Sequence, residues 1–446
     1  MIKAAIKKTH GMNQIVLHTK PHDCGGKCRY CFSGKGLSNG MLHSETIIQA
    51  RDAGWSPTEQ MRYGEGILSL PQPVGNKFSI TVKGDSFTNY PVNYLERYLQ
   101  EMYDYLNGEP SETFEDARRK HATAPNRCGY LSVTTRPDMV TTAWCEELIR
   151  FGVSSVELGV QNLYDTVLEF NNRGHGREAV VRATELLKKY GFEVGYHMMP
   201  GLPYTTREID VANFTSLLWE DDLFPDYIKF YPCVLLKNNG AQPELASLYD
   251  SGKWAPLTDE TYADLLRGVL PSIPRSVYIS RYQRIIPEEY IAHGPAKYIG
   301  RSQFNGIDLS ICQRSFQHTA HMDKPFSALP YRLEDVAQGK DVCVQALLPD
   351  DTVLAYMRLS FYDGWALLRD IRVLGRPYAY EGKQNEDPGC IQHKGIGKGL
   401  LARAETLAKI RLCQEIRLYP LPGAEHYFVK QGYQANGMYS LSKKLM

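Results

Sequence analysis

The chain has 446 residues, 43% of them hydrophobic, with 51 basic against 50 acidic side chains and a formal net charge of +1. That length exceeds one ordinary core and predicts two or three domains, while the balanced charge excludes a globally basic nucleic-acid binder. No apolar run approaches the roughly 18 residues of a membrane span, and the start "MIKAAIKKTH" lacks a signal-peptide core, so the chain reads as cytoplasmic with no membrane partner.

Ten cysteines in such a chain predict buried, metal-bound or catalytic thiols rather than a disulfide framework. Local charge is uneven: Lys3, Lys7, Lys8, Lys20, Lys27, Arg29 and Lys35 face Asp23 alone at the start. Such an end suits phosphates and a solvated terminus equally.

The first predicted strand is "NQIVLHT" (13–19), and the loop behind it, "CGGKCRYC" (24–31), holds Cys24, Cys28 and Cys31. Three thiolates can hold three irons of a four-iron cluster and leave the fourth without a protein ligand. An open metal position marks a reactive site rather than a structural one. Zinc, with His18 or His22 as a further ligand, is the second reading, and a chance grouping of structural thiols the third.

Five more strands follow, at "FSITVKG" (78–84), "YLSVTT" (130–135), "SSVELGV" (154–160), "EVGYHMM" (193–199) and "DYIKFYP" (226–232). Helical patterns separate them, clearest in "REAVVRATELLKKY" (177–190), where Val180, Ala183, Leu187 and Tyr190 share one face. Strands alternating with helices predict a parallel sheet of the α/β class, here a partial (βα)6 barrel. Chemistry in such barrels collects at the C-terminal strand ends. Those ends carry Lys83, Gly84, Asp85 and Ser86, then Arg136, then Glu157 and Gln161, then His197, then Lys229.

A second composition begins near 341. "DVCVQALL", "TVLAYMRLS" and "WALLRDIRV" predict an antiparallel meander, and "QHKGIGKGLLARAETLAK" (392–409) a glycine-rich helix start. The predicted domains are 1–300, a connector at 301–340, and 341–446. Gln392, Lys394, Gly395, Gly397, Lys398 and Gly399 suit an anion, because open backbone N–H groups, the helix N-terminus and two lysines converge there.

The cysteine loop after a first barrel strand, with Tyr30 inside its last CxxC, resembles the radical S-adenosylmethionine (SAM) superfamily, with "KGDSF" (83–87) where that family has its SAM-binding turn. The Q-x-x-G-x-G of the second region, followed by "EIRLY" and "HYFVKQGY", resembles Gcn5-related acetyltransferases (GNATs). In sequence order "TKPHDCGGKCRYC", "TRPD", "VELGVQNLYD", "NRGHGREAVVRATELLKKYGFEVGYHMMPGLP", "IKFYP", "YQRIIPEE", "LLRDIRVLG" and "QHKGIGKGLL" resemble the Elongator catalytic subunit family nearly end to end.

That resemblance implies a tRNA wobble-uridine carboxymethylating enzyme. A [4Fe-4S] cluster on Cys24, Cys28 and Cys31 and SAM would yield a 5′-deoxyadenosyl radical, which takes hydrogen from the methyl of acetyl-CoA. The acetyl group would reach the barrel mouth, its carbon radical would add to uridine C5, and thioester hydrolysis would leave carboxymethyl. It implies that Lys83, Gly84, Asp85, Ser86, Arg136 and Gln161 surround SAM, and that Gln392, Lys394, Gly395, Gly397, Lys398 and Gly399 hold acetyl-CoA. Glu157, His197, Lys229 and Tyr427 are its catalytic candidates. The implied partners are the tRNA anticodon loop and either a homodimer or Elongator-type subunits. Arg281, Arg284 and Lys297 are further candidates for tRNA phosphates, or else part of a solvated face. Phe428 replaces the second member of a usual tyrosine pair, and Cys312, His318 and His321 stand where relatives hold zinc. A protein lysine acetyltransferase with a scaffold barrel and a non-catalytic RNA-binding assembly factor are the alternative functions.

Overall fold

The computed structural model describes residues 12–31, 45–68, 77–237, 242–284, 286–315, 330–338, 340–375 and 390–445. Lys3, Lys7, Lys8, Lys35, His318 and His321 lie outside them.

The first six predicted strands form as β1 (Asn13–His18), β2 (Lys77–Lys83), β3 (Arg127–Thr135), β4 (Ser155–Gln161), β5 (Glu193–Met198) and β6 (Tyr227–Phe230). They pair in sequence order and all in parallel. A seventh parallel strand, Tyr278–Arg281, extends the sheet beyond β6. The sixfold barrel expected from sequence is therefore one strand short. That strand follows the helix Asp259–Val269 and has only four residues. Covering helices bury one face each: Val92–Asn107 turns Leu95, Leu99, Met102 and Leu106 onto the sheet and ends at Gly108, whose φ of +77° closes the helix in the left-handed region.

A second seven-stranded sheet runs Arg332–Gln338, Asp341–Leu347, Val353–Tyr362, Trp365–Val373, Glu415–Leu418, Leu441–Lys444 and Gln434–Ala435 in spatial order. Its first strand lies inside the stretch read as a connector. All pairings are antiparallel except that of Trp365–Val373 with Glu415–Leu418, the two strands joined through the helix Ile396–Ile410. Their register runs from Trp365 opposite Glu415 to Leu368 opposite Leu418, beyond which Trp365–Val373 stays paired with Val353–Tyr362 only. The sheet thus opens at the end where that helix begins.

This sheet is buried on both faces. Val342, Val344 and Ala346 join the core under the helix Ile396–Ile410, while the alternate Cys343 and Leu347, with Tyr356, join the barrel core. Buried ion pairs complete that junction. Arg369 holds Asp226 through Nη1 at 2.6 Å and Nη2 at 2.9 Å and also reaches Asp341 at 3.2 Å. Lys188 meets Asp341 at 2.6 Å, Arg358 meets Asp370 at 2.8 Å, and Arg372 meets Glu193 at 2.6 Å. Glu193 opens β5 and Asp226 precedes β6, so the second sheet seats against the N-terminal strand ends.

Candidate functional site

None of the ten cysteines is in a disulfide, and of the ten Cys24, Cys28 and Cys31 alone are partly exposed. Their loop is folded tightly. Gly25, at φ +67°, donates its N–H to Asp23 Oδ1 at 2.9 Å, and Cys31 N–H donates to the Cys28 carbonyl at 3.1 Å. Gly26 is needed where it stands: a β-carbon there would lie 3.2 Å from Cys24 Sγ, 3.9 Å from Cys28 Sγ and 3.0 Å from Arg136. Its backbone N–H donates to Cys24 Sγ at 3.4 Å. Tyr30 turns its ring into the core beside Leu202 and Trp254, which fixes the back of the loop.

The segment 171–175 clamps the loop from the other side. Arg29 N–H donates to the Asn171 carbonyl at 3.1 Å. Arg173, 6% exposed, donates through Nη1 to Cys28 Sγ at 3.6 Å and through Nη2 to the Gly159 carbonyl. The guanidinium thus fixes the position of the Cys28 sulfur from the buried side. No role for Arg173 follows from the sequence, where it is one letter of "NRGHG".

These observations fit a cluster held by three thiolates. Cations and N–H donors face the sulfurs, and glycine leaves room among them. Zinc fits less well. Cys24, Cys28 and Cys31 share the loop without closing on a single ion, which bears on either metal alike, so the histidines separate the two readings. His22 is engaged elsewhere, its Nε2 3.1 Å from the Asn89 carbonyl and its ring against Tyr90. His18 is buried, and burial with Lys83 and Arg284 nearby lowers its pKa to about 3.

The strand ends deliver the other candidates to one rim. Register aligns His18 with Lys83, Thr134 with Glu157, His197 with Lys229, and Lys229 with Arg281 across the sheet. Glu157 is the hub. It pairs with Lys229, meets His197 Nε2 at 2.6 Å, and accepts from Ser132 Oγ at 3.3 Å and Thr134 Oγ1 at 3.4 Å. Burial alone would raise its carboxyl, but Lys229 and His197 outweigh this and hold it well below the carboxylate range. Burial lowers His197, with Glu157 opposing, and the His197 ring meets Tyr231 edge-on at 4.9 Å. Burial and then Arg281, Lys229 and Arg284 push Lys83 well below the usual lysine value.

The predicted turn after β2 is close-packed. A β-carbon at Gly84 would strike Thr19 Oγ1 and sit 2.9 Å from Tyr90 OH. Asp85 accepts the His22 N–H at 3.1 Å, burial raises its carboxyl, and Ser86 is buried. Arg136 pairs bidentately with Asp138 at 3.0 and 2.8 Å beside the cysteine loop. Gln161 takes a φ of +70° and leaves a buried Oε1 without a protein partner at the strand end, a position suited to a polar ligand. Of the remaining basics, Arg284 is near Tyr231 and Lys83 at this rim, and Lys297 lies away on an exposed turn held by Asp259.

The glycine-rich start is separate. Gly395, at φ +90°, caps the helix Ile396–Ile410 with open space where a β-carbon would be. A β-carbon at Gly397 would lie 3.1 Å from Tyr427 OH, and one at Gly399 3.4 Å from Tyr331 OH. Tyr427 therefore aims its phenol at the helix start, while Phe428 turns into the core. Lys398 is exposed, Lys394 is partly so, and Gln392 is buried with Nε2 3.4 Å from the Val373 carbonyl. Burial and then the charge of Lys77, the first residue of β2, lower the His393 pKa to about 4.

Comparisons with known proteins agree with this arrangement. The Radical SAM superfamily model matches residues 20–214 and the Radical_SAM C-terminal domain model residues 225–310. A Dehalococcoides mccartyi protein named tRNA uridine(34) acetyltransferase is 28% identical over 97% of this chain and 98% of its own length. Human Elongator complex protein 3 is 25% identical over 97% of this chain and 84% of its own. The solved structure of Methanocaldococcus infernus Elp3, lacking its first 46 residues, superposes with a TM-score of 0.81 at 24% identity, covering 98% of this chain and 99% of that one, and so shares the fold.

Proposed function

We propose that this chain, which belongs to the radical SAM proteins of the Elongator complex protein 3 family, is an enzyme of the cytoplasm that modifies the wobble uridine of tRNA. The reaction transfers the two carbons of acetyl-CoA to uridine C5, leaving carboxymethyl. One observation carries the reading: three partly exposed cysteines share a clamped loop beside a charged rim, in a chain matched along its length by tRNA uridine(34) acetyltransferases.

Cys24, Cys28 and Cys31 would hold a [4Fe-4S] cluster, which with SAM supplies the one-electron chemistry needed at an unactivated carbon. Gly84, Asp85, Arg136 and Gln161 line the place for SAM: Asp85 for its ammonium, Arg136 for its carboxylate, and the Gln161 amide for a ribose hydroxyl or the adenine. Lys229 and His197, both on Glu157, direct N–H donors at an oxygen of the acetyl thioester or the base. Arg281 and Arg284, beside Lys229, give the mouth a positive character that suits RNA phosphates. The target base leaves its loop to enter, as unpaired RNA bases can.

The sheet Arg332–Lys444 with the helix Ile396–Ile410 is proposed as a GNAT-type domain. Support comes from its order, from the parting of Trp365–Val373 from Glu415–Leu418, and from the helix start beside that opening. Lys394, Gly395, Gly397, Lys398 and Gly399, with Gln392 behind, would receive the pyrophosphate of coenzyme A, and Tyr427 would protonate its thiolate on hydrolysis. The domain division follows: a barrel through about residue 300, a connector, and a second domain that starts by Arg332. Carriage of the acetyl group to the mouth falls to the flexible arm of coenzyme A.

Anaerobic reconstitution with iron, sulfide, SAM, reductant, acetyl-CoA and tRNA tests the reading. Carboxymethylated uridine is expected from the parent and none from Cys28→Ala. Deoxyadenosine formed without modified RNA would refute the tRNA assignment, and acetyl-lysine formation indifferent to Cys28→Ala would favour the protein acetyltransferase.

A further inference from the structure

The turn after β5 places an aromatic where the backbone favours glycine. Thr205 N–H closes the turn on the Leu202 carbonyl at 3.1 Å. Pro203 takes its second position and Tyr204 its third, with φ +73°. Glycine or asparagine fills that position of a proline-led turn without strain, whereas a β-carbon there costs free energy.

Burial does not repay the strain, because Tyr204 is 62% exposed. Its ring instead stacks on Phe170, with centroids 5.1 Å apart and planes 14° from parallel. Phe170 also carries the Arg29 guanidinium 5.1 Å from its ring centre, and Arg29 belongs to the cysteine loop. The support is fixed. Asn171 Nδ2 donates to the Pro203 carbonyl at 2.8 Å, the Asn171 carbonyl accepts from Arg29 N–H at 3.1 Å, and Arg29 pairs with Glu244 at 3.2 Å. A strained backbone that holds an exposed ring on a rigid base is the kind of position that contacts a ligand.

We propose that Tyr204 is a stacking shelf for an unpaired RNA nucleobase at the barrel mouth, holding the neighbour of the target uridine while the target enters. The shelf rests on the RNA reading above. A flat ring with a cation beneath it accepts any base by stacking and leaves sequence unread.

The test uses the full chain and a stem-loop RNA with 2-aminopurine beside the target uridine. The parent and Tyr204→Phe are expected to quench the probe on binding. Tyr204→Gly is expected to lose the quench and bind about tenfold more weakly, at an equal or higher melting temperature because glycine relaxes the turn. Full quench and affinity in Tyr204→Gly would overturn the shelf and leave the RNA reading standing. Equal weakening toward a loopless duplex would overturn base stacking in favour of a backbone contact. A parent that retains no stem-loop would overturn the RNA reading and the shelf with it.

Discussion

The barrel carries buried charge at both ends, and the two ends differ in balance. At the N-terminal ends Lys188, Arg358, Arg369 and Arg372 meet Glu193, Asp226, Asp341 and Asp370, four cations against four carboxylates. At the C-terminal ends burial, with Arg281, Lys229 and Arg284 in its field and Glu157 opposing, disfavours the charge on Lys83. Matched charge welds two sheets together. Cations crowded together are held at a cost in desolvation and repulsion, and an anion arriving at the mouth relieves that cost. Charge balance thus separates a structural network from a binding site even where burial is similar.

The largest expected effect breaks the balanced end. Arg369→Ala strands Asp226 and Asp341 in a buried setting, and loss of one partner from a buried network costs about 3–5 kcal/mol. A urea titration should show that drop in stability. A loss below about 1 kcal/mol, the worth of an exposed pair, would mean that the junction does not depend on its ions.

Next in size is the unbalanced end. Lys229→Met removes the cation paired with Glu157, and His197, 2.6 Å away, can take up the proton that compensates. Folding should survive. Formation of modified uridine should fall on the order of a hundredfold, as expected for loss of a charged donor in a preorganised site. An NMR titration should show the His197 pKa rising as the competing charge disappears. Unchanged activity would make Lys229 a structural counterion.

A smaller effect is expected at Tyr427. Tyr427→Phe keeps the ring edge-on to Phe428 at 5.2 Å and removes only the hydroxyl aimed at Gly397. Coenzyme A binding should hold, while acetyl-CoA hydrolysis should slow about tenfold or more if the phenol supplies a proton. Equal loss of binding and rate would make it a contact for the cofactor.

How much of this was readable in the sequence follows the same division. β1 to β6 were legible because parallel strands buried on both faces read as continuous apolar runs. The Tyr278–Arg281 strand, YISR, buries only its first two residues and ends polar, unlike the fully buried YIKF of β6, and Arg332–Gln338, with Arg332, Glu334 and Asp335 in seven residues, does not look like a strand that pairs in a sheet. The cysteines and strand-end residues were legible because spacing and position along the chain carry that information. Arg173 was not, since only tertiary structure brings it 145 residues back to Cys28. The balanced network had a local trace: "WALLRDIRV" sets Arg369, Asp370 and Arg372 in an otherwise apolar strand, a sign that this face meets a charged neighbour.

The smallest effect sharpens the comparison from a histidine that does no chemistry. His121 is fully buried, with Nδ1 2.8 Å from Asn107 Oδ1 and Nε2 accepting the Cys128 N–H at 3.0 Å. An accepting Nε2 requires a neutral ring with its proton on Nδ1. Burial, with Arg127 and Arg118 nearby, accordingly lowers its pKa from 6.5 to about 3. Between those values the unfolded chain binds a proton that the folded chain refuses. The contribution of His121 is therefore complete above 6.5 and lost as pH falls, by about 1.4 kcal/mol per pH unit. His121→Gln should lower stability at neutral pH yet flatten its fall toward acid in urea titrations. An unaltered slope would assign the acid sensitivity to His18 at the mouth, which is also lowered to about 3. His197 is set apart from both because Glu157 stands ready to receive its charge, which is what a group that handles protons requires.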